Sequence, residues 1–292
     1  MTSTPQATVV VPSYNRPERL RDCLEALARL EGPSFEVVVV DDGSTTPLGD
    51  VAGAFGPGVR CLRQENRGPA AARNTGARAA AAPFVAMTDD DCRPRPGWLA
   101  ALMSAHGGHA GRLVGGLVVN GLPDNVYAAA SQSLCDFLYD WFGADAGEAP
   151  FFTSNNMGCT RDAFLESGGF DESFPLAAAE DRDFGLRWRE RGELLLAPDA
   201  VVEHFHSLDL RRFWRQHANY GRGARRLHEV MDARGDPRPR REPLAFYYSL
   251  VLHPLRRPGR GRLAQSVLMA LSQAAMVRGY AGAARVPRNR GS

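Results

Sequence analysis

The tightest constraint on this chain is a strand-like run with no alternation in it. Phe35–Val40 is too uniformly apolar for a strand with one face in water, and it suits a parallel sheet covered on both faces. Thr8–Val11 is a β-branched run that stops at Pro12, and Phe84–Thr88 is a third strand. Helical patterns separate them. Asn15, Pro17 and Glu18 read as a helix start, with Leu20, Leu24, Leu27 and Leu30 at helical spacing before Gly32 and Pro33. Val59–Leu62 is a weaker strand, Pro69–Ala82 an alanine-rich helix and Trp98–His106 another helix. This βαβαβ order predicts an α/β fold, an open and mostly parallel sheet with covering helices. Ligands bind such sheets at the carboxyl ends of strands. Polar clusters stand at three of those ends, Pro12–Arg16, Asp41–Ser44 and Thr88–Asp91. Three clusters on one edge describe a site.

The second half is less regular. Leu113–Val119 reads as a strand, Gly168-Gly169-Phe170-Asp171 as a turn and Glu180–Arg191 as a charged helix. Leu194–Ala197 and Val201–His206 read as two strands around Pro198-Asp199. From Leu208 the pattern is helical and Arg-rich, interrupted at Asp236–Pro243, and a last helix is expected over Leu263–Ala284. The expected organisation is an α/β domain over residues 1–207, with halves of about 1–112 and 113–207, and a helical C-terminal extension over 208–292.

Composition removes several classes of function. With 35 basic and 33 acidic residues the formal charge is +2, so no strong field recommends nucleic acid as a partner. All the basic residues are Arg, which excludes a lysine Schiff base or a P-loop lysine. No run approaches the roughly 20 apolar residues of a membrane span. Five scattered cysteines without a C-x-x-C pair argue against a disulfide framework and fit a reducing cytoplasm.

The acidic triplet Asp89-Asp90-Asp91 carries the first chemical signal. Three adjacent carboxylates on a buried strand end need a compensating cation, and a divalent metal holding phosphate oxygens supplies one. A solvated acidic turn is the plain alternative. Asp41-Asp42-Gly43-Ser44 is either a β-turn or a hydrogen-bond acceptor for a base or ribose. In Asn66–Gly76 a glycine turn opens a small-residue helix that admits a phosphate, with Arg73 adding a fixed charge; an amphipathic surface helix fits the same residues. Trp98 and the aromatic residues between 137 and 152 suit either a core or a sugar-stacking platform, with core favoured.

Taken in order, Val9-Val10-Val11-Pro12-Ser13-Tyr14-Asn15-Arg16, Val40-Asp41-Asp42-Gly43-Ser44, Asn66 with Ala72-Arg73-Asn74 and Gly76, and Thr88-Asp89-Asp90-Asp91 resemble the successive motifs of family 2 glycosyltransferases. The resemblance covers about residues 7–205. It implies a GT-A, Rossmann-like fold and a nucleotide-diphosphate sugar donor, with a UDP-sugar expected and dTDP- or GDP-sugars as alternatives. It also implies a divalent metal, Mn²⁺ or Mg²⁺, and transfer to an acceptor hydroxyl with inversion. On this resemblance Pro12, Tyr14 and Arg16 fall to the nucleotide sugar, with Pro12 and Tyr14 lining the nucleobase pocket. Asp42 would bond the base with Asp41 nearby, Arg73 would approach the nucleotide, and Asp89 and Asp90 would serve the donor.

Asp91 is the expected metal ligand, with Asp90 as its rival, and His204 is favoured over His206 as a second ligand. Glu180-Asp181 matches the family's acceptor-side pair. Transfer to a hydroxyl independently requires a general base, for which Asp181 is chosen, with Glu180 turned toward acceptor or structure. Asn155 and Asn156, in the polar stretch Thr153–Asn156, are assigned to sugar hydroxyls, the acceptor's first, although an ordinary polar turn fits the same residues. Two rival functions are a sugar-1-phosphate nucleotidyltransferase, disfavoured by the missing lysine, and a non-catalytic nucleotide-sugar-binding scaffold. The C-terminal helices are left with two open uses, peripheral contact with the inner face of a membrane and homodimer packing.

Overall fold

The computed structural model describes residues 4–142, 151–174, 178–237, 242–258 and 260–283. The chain divides into two compact units. The first comprises Met1–Gly121, Phe142–Pro175 and Glu180–Phe205; the second comprises Leu122–Trp141, Leu176–Ala179 and His206–Ser292.

The first unit is built on one sheet. Its strands are β1 (Ala7–Ser13), β2 (Phe35–Asp42), β3 (Val59–Gln64), β4 (Phe84–Met87), β5 (Cys92–Pro94), β6 (Arg112–Asn120), β7 (Met157–Thr160) and β8 (Glu193–His204). They lie in the order β3-β2-β1-β4-β7-β6-β8-β5. β1 pairs parallel with β2 and β4, β2 with β3, and β6 with β8, while β7 runs antiparallel to both β4 and β6 and β5 antiparallel to β8. Six strands therefore share one direction, and their carboxyl ends share one edge. Every residue of β1 is buried, as are Val37–Asp42 of β2, which is why those runs lack alternation.

Helices α1 (Pro17–Leu27), α2 (Gly49–Gly53), α3 (Pro69–Ala79), α4 (Trp98–His106), α6 (Arg161–Glu166) and α7 (Glu180–Arg189) complete this unit. The main core joins Val9, Val11, Leu20, Leu24, Val37 and Trp98. Trp98 is therefore core, not a stacking surface.

Several boundaries differ from expectation, each for a local reason. Asn15 does not cap α1; the cap position is Arg16, without a side-chain bond, and Asn15 adopts φ 55° with its side-chain carbonyl accepting from the Thr45 amide at 2.7 Å. The helix expected to reach Ala82 ends at Ala79, where Ala80 turns extended. The two strands expected around Pro198-Asp199 are one strand, β8. Its pairing with β6 jumps from Gly116–Ala197 to Leu117–Val201, so the intervening residues bulge without breaking it.

The second unit is helical, with α5 (Val126–Trp141), α8 (Leu210–Arg234), α9 (Leu244–Arg256) and α10 (Arg262–Ala283). Leu134, Phe137, Phe246, Leu250 and Met269 form one core cluster, and Ala130, Phe213 and Leu268 another. α8 starts at Asp209, whose carboxylate accepts from the Arg212 amide at 2.7 Å, and ends at Gly235 in the left-handed conformation. A Cβ at Gly221 would overlap the Met276 carbonyl and one at Gly279 the Ala218 carbonyl, so these two glycines let α8 and α10 touch backbone to backbone. Of the expected linker, residues 238–241 lie outside the described residues, as does Ala284 of the last helix.

Candidate functional site

The site forms at the carboxyl edge of the sheet, where the connections diverge on either side of β1. That is the topological switch point of an open α/β sheet. β4 extends alongside β1 through the Thr88 amide, which donates to the Val10 carbonyl at 3.2 Å. Ser13, the last residue of β1, then donates its hydroxyl to Asp90 Oδ2 at 2.7 Å.

The two acids after β2 are both engaged by the chain. Asp41 is buried and accepts from the Ser44 amide at 2.9 Å, the Leu48 amide at 3.2 Å and Arg63 Nη1 at 2.9 Å. Burial pushes its carboxyl up, but these hydrogen bonds outweigh burial and hold it below the usual range. Asp41 is thus a turn-forming residue, its lone pairs spent on the loop. Asp42 accepts from Gln64 at 2.8 Å, from the Arg67 amide at 3.0 Å and from the Gly68 amide at 2.9 Å, fixing the entry to α3. Gly43, which follows, has φ 80°, and a Cβ there would lie 2.7 Å from the Asn66 nitrogen.

The acidic triplet splits into three environments. Asp89 is partly exposed and accepts from Arg73 Nη2 at 2.6 Å. Asp90 is buried between Ser13 and Arg16 Nη1, the latter at 3.1 Å; burial, then the neighbouring Asp91, push it up to about 6. Asp91 faces two guanidiniums and an imidazole, Arg19 at 2.8 Å, His204 at 3.3 Å and Arg16 at 3.4 Å. Burial again acts upward, but His204 and then the two arginines hold Asp91 far below the usual carboxylate range. His204 is shifted the opposite way: burial acts downward on it, and Asp91 and Asp89 outweigh that effect.

α3 supplies the next layer. Gly76 seats it on the sheet, since a Cβ there would overlap Val10 Cγ1. The close approach carries Arg73 into the interior, 2% exposed, where it donates to Asp89 and, through Nη1, to Glu180 Oε1 at 3.2 Å. Asn74 grips the Gly168–Asp171 turn, accepting from the Phe170 amide at 2.9 Å and donating to the Phe170 carbonyl at 2.8 Å. Each residue of Arg73-Asn74-Thr75-Gly76 except Thr75 therefore has a packing or charge partner that explains it.

Glu180 and Asp181 open α7, where acidic side chains meet the positive end of the helix dipole. Burial, then Asp181, push Glu180 up to about 8, against the opposing pull of Arg73. Asp181 is also raised by burial, although Arg182, its amide, Arg73 and the Ser154 amide oppose it. Two adjacent carboxyls beside one guanidinium cannot both ionise cheaply, so the pair keeps a proton near neutral pH.

Asp91, Cys92 and His204 each offer a ligand atom, all within 4.8 Å of one another. Cys92 is fully buried, and burial followed by Asp91 pushes its thiol well above the usual range. A thiol is a soft ligand, ill-matched to a hard divalent cation that holds phosphate oxygens, which leaves a carboxylate and an imidazole.

Of the remaining expected residues, Pro12 is buried at the end of β1, while Tyr14 and Arg16 are exposed beyond it. Asn155 is buried with its amide 3.5 Å from Cys92 Sγ. Asn156 does not reach the surface. It is 0% exposed, accepts from Trp98 Nε1 at 2.8 Å and donates to the Leu117 and Ala200 carbonyls at 2.9 Å each, so it satisfies the β6–β8 irregularity instead of binding an acceptor. Sequence reasoning missed Arg19, in the first turn of α1, because an arginine at that position belongs to no motif. It also missed Glu172, which gathers Asn74, Arg67 and Arg78; the adjoining Phe170-Asp171 was the available signal.

The model of glycosyl transferase family 2 matches residues 8–167, more than half of the chain. The chain belongs to this family. A pre-mycofactocin glycosyltransferase of Mycobacterium tuberculosis is 33% identical over 228 residues, covering 74% of this chain and 46% of that protein. The chain thus spans about half the length of such a relative. Among solved structures, a mannosyltransferase from Pyrobaculum calidifontis in complex with GDP-Man and Mn²⁺ superposes with a TM-score of 0.61 at 20% identity, covering 98% of this chain and 77% of that one. GalNAc-T7 with UDP, GalNAc and Mn²⁺ gives 0.58 at 15% identity, covering 94% and 55%. The fold of this family 2 chain is accordingly the GT-A fold, with a helical C-terminal region.

Proposed function

We propose that the protein is a metal-dependent glycosyltransferase that moves a sugar from a nucleotide-diphosphate sugar to an acceptor hydroxyl. The observation that carries this reading is the buried Arg73 bridge, which joins Asp89 of the acidic triplet to Glu180 of the acidic pair on α7. Donor-side and acceptor-side carboxylates are then held within reach of one guanidinium, as a direct transfer requires. Family membership and neighbours solved with GDP-Man or UDP and Mn²⁺ support the same reading.

In this mechanism Tyr14 and Arg16 meet the nucleotide, and Asp89 and Asp90 the donor's ribose and diphosphate side. Asp91 and His204 would hold a divalent cation, preferentially Mn²⁺, whose charge stabilises the departing diphosphate. Asp181 accepts the acceptor's hydroxyl proton as that oxygen attacks the anomeric carbon, and the bond to the diphosphate breaks on the opposite face, with inversion. Its upward shift makes it a stronger base than an ordinary aspartate. Glu180, sharing a proton with the pair and held by Arg73, orients Asp181.

The test is thermal unfolding with UDP, GDP and dTDP, each with and without Mn²⁺. A ligand at about a hundred times its Kd adds roughly 2.7 kcal/mol to native stability. The expected result is a metal-requiring shift, largest with UDP. No shift with any nucleotide would overturn the reading, and a larger one with GDP would reassign the donor.

A further inference from the structure

The outward faces of α9 and α10 are apolar. On α9, Leu244, Tyr248 and Leu255 lie at i, i+4 and i+11, and all three are exposed, Leu244 at 87%. The opposite face of the same helix, carrying Phe246 and Leu250, is already packed in the core. On α10, Leu263 and Val267 begin an exposed stripe that continues through Ala270 and Ala274 to Val277. A helix that is apolar on its packed side and again on its free side has a second apolar environment to meet.

Charge identifies that environment. From Pro243 to Ser292 the sequence holds eight arginines and no Asp or Glu, leaving 27 basic against 33 acidic residues, a net −6, in residues 1–242. Four of the eight, Arg256, Arg257, Arg260 and Arg262, surround the turn between α9 and α10. Arg257 is paired with Asp140 at 2.5 Å; Arg256, Arg260 and Arg262 are exposed. A second copy meeting this face by two-fold symmetry would set arginine against arginine. An anionic headgroup layer beside acyl chains matches both the charge and the apolar stripe. Exposed tyrosines suit the headgroup boundary as well. Among the described residues no helix is long and apolar enough to cross a membrane, so contact would be lateral.

We infer that the α9–α10 face docks on an anionic lipid bilayer, with Leu244, Tyr248, Leu255 and Leu263 entering the headgroup boundary and Arg256, Arg260 and Arg262 meeting lipid phosphates. The inference rests on the helical unit alone and is independent of the sugar-transfer reading.

The test is co-sedimentation of the full chain with phosphatidylcholine vesicles and with vesicles also containing phosphatidylglycerol. The chain is expected to pellet with the phosphatidylglycerol vesicles alone and to be released by high salt. The double variant Leu244→Glu/Tyr248→Glu and the triple variant Arg256→Gln/Arg260→Gln/Arg262→Gln should each lower binding by at least about tenfold. Both alter exposed positions, and an unchanged thermal transition with native circular dichroism confirms that they fold. Absence of binding to the anionic vesicles, equal binding to both kinds, or binding unmoved in the folded variants overturns the inference. A concentration-dependent dimer in ultracentrifugation, lost in Leu244→Glu/Tyr248→Glu and accompanied by no vesicle binding, also overturns it and assigns the face to a second copy.

Discussion

Glu180 ties the chemistry of the site to the stability of the fold. Its carboxyl is raised from 4.5 to about 8, chiefly by burial. Between those values the folded chain holds a proton that the unfolded chain has lost, so stability falls as pH rises through the window. Glu180→Gln removes that titration, and its thermal transition should vary less between pH 5 and 8 than the parent's. Asp181→Asn should lower kcat by about 10²–10⁴-fold while nucleotide affinity, read by titration, stays within error. A parallel loss of affinity would contradict the role of base proposed for it.

Arg73→Ala strands two carboxylates at one stroke, and breaking a buried pair costs about 3–5 kcal/mol, measurable by denaturant unfolding. Residue identity alone separates these roles poorly. Asp41 and Asn156 carry the side chains a sugar or base would want, yet both are consumed by the fold's own amides and carbonyls. Asp181 and His204 look no different in sequence. Only the partners distinguish them, and the decisive ones, Asp91 for His204 and Arg73 for Asp181, lie far away in the sequence.

At the scale of elements, the uniform strands are legible because burial on both faces removes alternation. β1, β2 and β4 fall within a residue or two of the expected runs. β5 and β7 are not legible. Cys92-Arg93-Pro94 is a three-residue edge strand, and Met157-Gly158-Cys159-Thr160 owes its place to antiparallel pairing on both sides rather than to any pattern of its own. α5 escapes notice because its aromatic residues suggest a core or platform without a period. Packing between elements yields its own prediction. Gly76→Ala pushes a methyl group into Val10 and should lift α3 from β1, costing about 1–3 kcal/mol by denaturant unfolding. Because Arg73 rides on the same helix, nucleotide affinity should fall with it.

For the whole molecule, the acidic edge already has its counter-charges. Arg16, Arg19 and His204 surround Asp91, so a chelator should leave the melting temperature of the nucleotide-free protein unchanged, by calorimetry. The same chelator should abolish any stabilisation by nucleotide. The family match ends at residue 167, whereas Glu180, Asp181 and His204 follow it.

The pair of Arg73 and Glu180 spans 107 positions. On the ribosome Arg73 emerges long before its second carboxylate exists, and a buried guanidinium waiting beside Asp89 alone is an incomplete arrangement. The first half of the sheet can assemble early from local βαβ contacts, but the interior of α3 closes only when α7 arrives. Completion of that interior therefore waits for the last of its charges, and a chain released before residue 180 would leave Arg73 with one of its two carboxylates.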